Sequence, residues 1–325
     1  MLHLNIAYIT DQQFAAQCGI SLTSLLSNNS ELNIDVYLLN GGINDLECAK
    51  FKQICPKIHV IDIRNFGERS SAFRDASGFQ PIVYARLLLA EYLPENIDTV
   101  LYLDSDIIID GSLDNLAKIR LTDNQYVAAV PEVYMPLRTM RASIGYEKQD
   151  IYYNAGVLLV NLKQWRLERL GEHFIGFLQE HNGSLPFNDQ DIINACCKGH
   201  IYTLDPTYNM NPNLPFFPLW FVKRHFRWFQ MIQLKDHYIE MLHSPIIIHF
   251  MGDERPWIIG NRNYYKEKCI KYEEKSMWAN FYSEERSKMY ELMYHYLNIF
   301  TKFCPWFRVL FSCFIGINIH RWRKK

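Results

Sequence analysis

Short apolar runs alternate with amphipathic stretches through the first hundred positions. Residues 4–10 (LNIAYIT), 34–39 and 58–63 are rich in Ile, Leu, Val and Tyr and suit strands, with Asp11 just past the end of the first. Between them, residues 17–26 and 45–54 carry apolar side chains at helical spacing, and Asn40-Gly41-Gly42 makes a turn. This alternation predicts βαβ units and a parallel sheet. Residues 81–92 (PIVYARLLLAEY) predict a helix opened by proline. Further strands are expected at 100–103, 107–109, 126–131 and 150–162, and within 244–257 up to His249. Asn188 is placed to cap a helix in LPFNDQDIIN, and residues 282–303 have a helical pattern heavy in aromatic rings.

Chemistry enters where carboxylates interrupt these runs. Asp104 and Asp106 sit between VLYL and III, separated by Ser105. Unpaired acids away from water cost several kcal/mol, so a strand does not place them there for stability. At the carboxyl end of a strand they make half a site for a hard cation, commonly one that is phosphate-bound; a turn that favours Asp and Ser is the other reading. Arg86 sits among apolar neighbours, where it either pairs with a nearby acid or reaches a phosphate or sugar hydroxyl. Asn154-Ala155-Gly156 marks a bulge or a close approach to the backbone. Asp189, Gln190 and Asp191 serve a helix start or catalysis, and His249 is either a core histidine or a third metal ligand.

Composition narrows the class. At 325 residues and 49% hydrophobic the chain can build a large core, and its formal net charge of −1 offers no argument for a nucleic-acid partner. Eight scattered cysteines with no C-x-x-C pair support neither a zinc site nor a disulfide framework, and fit a reducing cytosol. Neither a signal peptide nor a membrane span is expected. Residues 208–229, rich in Pro, Asn, Phe and Trp, suit a closing loop or an acceptor surface. Residues 301–325 hold six Lys/Arg, no Asp or Glu, and rings at Phe303, Trp306, Phe307, Phe311, Phe314 and Trp322. That mixture fits an anionic membrane interface; docking on the core or on a partner chain is the alternative.

In chain order, YARLLLAEYLP, VLYLDSDIII, YYNAGVLLVNLKQW, FNDQDIIN and HFMGDERPW resemble glycosyltransferase family 8, retaining enzymes that include bacterial lipopolysaccharide glucosyl- and galactosyltransferases and glycogenin. The resemblance implies a GT-A fold, a Rossmann-like α/β mixed sheet flanked by helices, over residues 1–265. A helical extension with a basic, aromatic, membrane-associating tail would fill 266–325. It implies a UDP-hexose donor, Mn²⁺ or Mg²⁺, a saccharide or glycolipid acceptor, and a cytoplasmic enzyme peripheral to the inner face of the membrane. Asp104, Asp106 and His249 would hold the metal, with Ser105 beside the donor. Ile9, Asp11 and Gln13 (where Asn is more usual) would meet the base. Arg86 would reach the sugar and diphosphate, and Asn154, Ala155 and Gly156 would line the sugar pocket. Asp189 and Gln190 would lie nearest the anomeric carbon. Gly252 and Arg255, the latter replacing a common lysine, would close over the diphosphate. Two other classes use similar acids: haloacid-dehalogenase-like phosphatases, whose acidic motif lies near the start of the domain, and metal-dependent nucleotidyltransferases, which release pyrophosphate.

Overall fold

The computed structural model describes residues 2–66, 81–133, 142–147, 149–183, 185–226, 235–279 and 286–311. The opening βαβ pattern forms as expected: β1 (His3–Thr10), α1 (Ala15–Asn28), β2 (Asn33–Asn40), α2 (Asp45–Ile54) and β3 (Ile58–Asp62). Six more strands follow: β4 (Thr99–Leu103), β5 (Ile107–Ile109), β6 (Val127–Pro131), β7 (Tyr153–Asn161), β8 (Ile201–Thr203) and β9 (Ile247–His249). Seven of them make one sheet in the order β3-β2-β1-β4-β7-β6-β8, while β5 and β9 pair separately. The run β3-β2-β1-β4 is parallel, but β7 lies antiparallel to β4 and β6, so the sheet is mixed. The carboxyl ends of β1 and β4 therefore share an edge with the amino end of β7. That edge is where open α/β sheets hold ligands.

The pleat sends alternate side chains into two cores. Along β1, Leu4, Ile6 and Tyr8 enter the core beneath α1, and Ala7 enters the other. Along β4, Leu101 and Leu103 join the first core, and Val100 and Tyr102 the second. The second core is closed by α3 (Leu162–Leu167), α4 (Leu170–Glu180) and α5 (Asn188–Cys196).

Three expectations change. Residues 81–92 are not one α-helix: Pro81–Leu88 wind as a 3₁₀ helix and Leu89–Tyr92 as one α turn. With three residues per turn, Val83 and Arg86 share a line facing the cleft, while Tyr84 and Leu87 share another in the core. The strand expected to reach residue 162 stops at Asn161, whose side-chain oxygen accepts from the Gln164 N–H at 3.2 Å and caps α3. Asn188 does not cap α5. It lies within the helix at φ 48° and accepts from the Tyr84 hydroxyl, while Asp191 Oδ2 takes the Phe187 N–H at 2.7 Å.

Further helices close the chain's described part. In α6 (Lys266–Glu273), Cys269 and Tyr272 are buried in the first core, and Lys268 and Lys271 pair with Asp110. Helix α7 (Lys288–Thr301) is held by buried polar contacts: Asn298 Nδ2 donates to Glu254 Oε1 at 2.7 Å and Asn261 Nδ2 to Glu291 Oε2 at 2.9 Å. Residues 305–311 are helical and expose Phe303, Phe307 and Leu310 nearby. Arg308, one of the tail cations expected to face anionic lipid, is instead buried and donates to Asn213 Oδ1 and Tyr294 Oη. The rest of the proposed tail, residues 312–325, lies outside the described residues, as do 282–285 of the expected 282–303 helix. Among the described residues no helix is long and apolar enough to cross a membrane, and every cysteine is free.

Candidate active site

Strand pairing assembles the site. Antiparallel pairing of β5 with β9 sets His249 opposite Ile107, and the Phe250 N–H donates to the Asp106 carbonyl at 2.9 Å. The β4–β7 ladder continues one step past Leu103, where the Asp104 N–H donates to the Gly156 carbonyl at 2.9 Å. Side-chain ligand atoms of Asp104, Asp106 and His249 consequently lie within 4.8 Å of one another. His249 Nε2 is 3.2 Å from Asp106 Oδ1 and 3.6 Å from Asp104 Oδ2. Burial raises the Asp106 carboxyl, but the His249 charge and hydrogen bond outweigh it and leave the group below its usual range. Burial lowers His249, and Asp106 reverses that, so the imidazole sits above its ordinary value. Such a pocket favours positive charge. Two carboxyls and one imidazole suit Mn²⁺ or Mg²⁺, and Gly156 leaves the room: a β-carbon there would strike the His249 ring and lie 2.9 Å from Asp104 Oδ2.

Asp104 divides its oxygens. Oδ1 accepts from Tyr102 Oη at 2.6 Å and pairs with Arg86 at 2.9 Å, which leaves Oδ2 on the His249 side. Arg86 also reaches Asp189 Oδ2 at 3.0 Å and the Ala155 carbonyl at 2.9 Å, and lies over the Tyr102 ring. The arginine thus pairs with two acids and also lines two adjoining hollows. Burial works against its charge, and Asp104 and Asp189 more than offset burial. Asp189, in the first turn of α5 as expected, is pushed by burial up to about 6 even though Arg86 draws it down. Gln190 Oε1 accepts the Ala155 N–H at 3.0 Å and so ties α5 to β7.

Two hollows meet at this point, sharing Arg86, Asp104 and Asp106. One, of 490 Å³, is walled by Ile9, Asp11, Gln13, Ser105 and Arg255. The other, of 310 Å³, is walled by Asn154, Ala155, Gly156, Asp189, Gln190 and Gly252. Every predicted site residue therefore lines one or both hollows, or belongs to the cation group. Asp11 also has a structural task, since its Oδ1 accepts the N–H groups of Gln13 and Phe14 at the entry to α1. Ser105 Oγ donates to the Ile9 carbonyl at 3.0 Å, which joins the acidic pair to β1. A larger hollow of 620 Å³ lies at the opposite edge of the sheet, beside Asn5, Thr99 and Asn161, and holds none of these residues.

The family model for glycosyl transferase family 8 matches residues 5–259. The chain belongs to that family. This family-8 enzyme is 29% identical over 220 residues to a putative glycosyltransferase of Haemophilus influenzae, a match covering 64% of each chain. It is 26% identical to lipopolysaccharide 1,2-glucosyltransferase of Escherichia coli K12, over 81% of this chain and 76% of the relative. Its fold matches a crystal structure of the galactosyltransferase LgtC in complex with donor and acceptor sugar analogues, with a TM-score of 0.69 at 23% identity, over 84% of this chain and 96% of that one. The mixed sheet with flanking helices is thus the GT-A fold, and a phosphatase of the dehalogenase type is set aside.

Reading the sequence missed two contributors. Tyr102 was legible in principle, because period two puts it on one face with Asp104. Asn209, whose Oδ1 lies 3.0 Å from the His249 ring nitrogen Nδ1, stands 40 positions from that histidine and carries no local signal.

Proposed function

We propose that this glycosyltransferase is a retaining hexosyltransferase that moves glucose or galactose from a UDP-sugar to a saccharide or glycolipid acceptor. It would build lipopolysaccharide, capsule or another surface glycan at the cytoplasmic face of the inner membrane. The observation that carries this reading is the junction of the two hollows at Arg86, Asp104 and Asp106. One hollow has the apolar and hydrogen-bonding wall a nucleoside needs, the other the polar wall a hexose needs. Relatives named for glucosyl and galactosyl transfer support both donor sugars.

Asp104, Asp106 and His249 would hold the cation, which neutralises charge as the diphosphate departs. Arg255 lines the same hollow and adds a fixed positive charge toward that leaving group. Arg86 bridges Asp104 and Asp189, so the donor-sugar wall and the metal wall are tied together. Asp189 and Gln190 then support the oxocarbenium-like anomeric centre. Same-face attack suits this arrangement, with the departing phosphate oxygen taking the acceptor's proton. Residues 301–325 would attach the enzyme to anionic lipid. Screening UDP-sugars with purified protein and Mn²⁺ tests the proposal: UDP-glucose or UDP-galactose should release UDP fastest. Pyrophosphate as the product, or no metal-dependent turnover of any UDP-hexose, would overturn it.

A further inference from the structure

His249 is 4% exposed, and its Nε2 faces the two aspartates. What decides whether that nitrogen offers a lone pair is the other one. Nδ1 lies 3.0 Å from a side-chain amide atom of Asn209, assigned as Oδ1. Amide orientations are ambiguous in isolation, but here a backbone group settles the chain of contacts. The Gly156 N–H can only donate, and it points at one amide atom of Asn154 at 2.8 Å, so that atom is oxygen. The Asn209 atom 2.8 Å from the same oxygen must be a donor, which makes it Nδ2. Its partner on the amide is therefore Oδ1, an acceptor, and His249 Nδ1 carries the proton. Asn154 Nδ2 finishes the series by donating to Glu132 Oε2 at 2.7 Å.

The backbone fixes Asn209 in this position. The next residue, Met210, bridges to β9: its N–H donates to the Ile247 carbonyl at 2.8 Å, and its carbonyl accepts from the His249 N–H at 3.1 Å. Asn209, Asn154 and Glu132 are all buried, so these bonds lie largely out of water's reach.

We infer that Asn209 is a positioning residue that holds His249 in its Nδ1-protonated form, through a relay that begins at the Gly156 N–H and passes through Asn154. The inference rests on the proposed metal role of His249. Because Asn154 and Gly156 line the sugar-side hollow, the same relay fixes the ligand and that wall together. Partners of this kind orient a histidine ligand and raise its basicity.

The test uses the full-length chain and Mn²⁺ alone, with binding followed by calorimetry and the fold by circular dichroism and thermal melting. Asn209→Leu should weaken Mn²⁺ binding about 10- to 100-fold in a folded protein. Asn209→Asp keeps an oxygen opposite Nδ1 and should lose less than about tenfold. A second measurement needs no variant of Asn209: nitrogen NMR of histidine-labelled wild type at alkaline pH, with His249 assigned by its loss in His249→Gln, should show the Nδ1-protonated form. A proton on Nε2 instead, or unchanged Mn²⁺ affinity in folded Asn209→Leu, would overturn the inference. His249→Ala separates the two levels. If it loses Mn²⁺ while Asn209→Leu does not, the relay fails and the metal site stands; if it binds Mn²⁺ as wild type does, both fail.

Discussion

The molecule buries carboxyl groups in two places and treats them differently. At the cleft, Asp106 is raised by burial but held below its usual range by His249, and Asp189, sharing Arg86 with Asp104, settles at about 6. Beneath α7, Glu254 accepts from two amides, Asn263 and Asn298, and burial pushes it up to about 7 despite those bonds and the Arg308 charge. The imidazole keeps Asp106 ready to take a metal ion. Asp189 and Glu254 each have a cation near as well, yet burial outweighs it and both are raised. What separates chemistry from architecture is what else the carboxyl faces: Asp189 lines an open hollow, whereas Glu254 is closed in by Asn263 and Asn298 and works as a hydrogen-bonded pin.

The contrast fails at the cleft if the acids there are also only pins. Asp104→Asn and Asp106→Asn preserve size and one acceptor oxygen, so folding should survive. UDP release from the preferred UDP-sugar should nonetheless fall by about a thousandfold or more, because charge on the leaving diphosphate loses its counter-ion. Turnover within about tenfold of wild type in both variants, with Mn²⁺ present, would remove the metal role.

How much of this was legible follows the range of the interactions. The acidic pair was readable because it stands at the end of an apolar run, and Arg86 and the small residues at 154–156 because each interrupts one. His249 was readable for the same reason as the acidic pair, at the end of β9. Position along an element does not reveal what reaches it from elsewhere. Asn209 depends on Met210 pairing with β9, a contact that no local pattern encodes, and its stretch reads merely as rich in Pro, Asn and aromatic rings. The 3₁₀ winding of Pro81–Leu88 was hidden because apolar spacings of three and of three-to-four look alike over eight residues. Asn188 was a sound cap on local grounds, but it opens the helix itself and its side-chain oxygen accepts from Tyr84 of another element. The antiparallel turn of β7 lies beyond any strand-by-strand reading, because direction is settled by the connection rather than by the strand.

Glu254 offers a pH test of the pin. Its carboxyl is raised from an ordinary 4.5 to about 7 in the folded chain, so the folded state binds more protons than the unfolded one across that window. Its contribution to stability is therefore largest below pH 4.5 and declines as pH rises toward 7, by up to roughly 3 kcal/mol in full. Glu254→Gln removes the titration. Asn298 Oδ1 is buried without a hydrogen-bond partner, so rotating that amide gives a glutamine nitrogen somewhere to donate. Urea unfolding from pH 5 to pH 8 should then show a smaller decline in Glu254→Gln than in wild type, with the variant at least as stable at pH 8. Equal declines in both proteins would mean that another group titrates.

The outer face of the same C-terminal region sharpens the comparison last. Glu254 and Arg308 point inward and join α7 and the following helix to the body, whereas Phe303, Phe307 and Leu310 remain exposed. Trp306 packs against Phe221 at 5.0 Å and His225 at 4.2 Å, which brings the helix Leu219–His225, with its Lys223 and Arg224, alongside those rings. The exposed rings are the ones that the proposed attachment to anionic lipid would use. Replacing Phe303, Phe307 and Leu310 by serine leaves Arg308 and Trp306 in place, so the docking should hold. Each lost side chain removes about 1.5 kcal/mol or more of apolar burial, enough to lower co-sedimentation with anionic vesicles by about tenfold or more. UDP-sugar hydrolysis in solution should be unchanged. Undiminished vesicle binding would retire the lipid contact for these three side chains and leave their exposure to be explained by a protein partner.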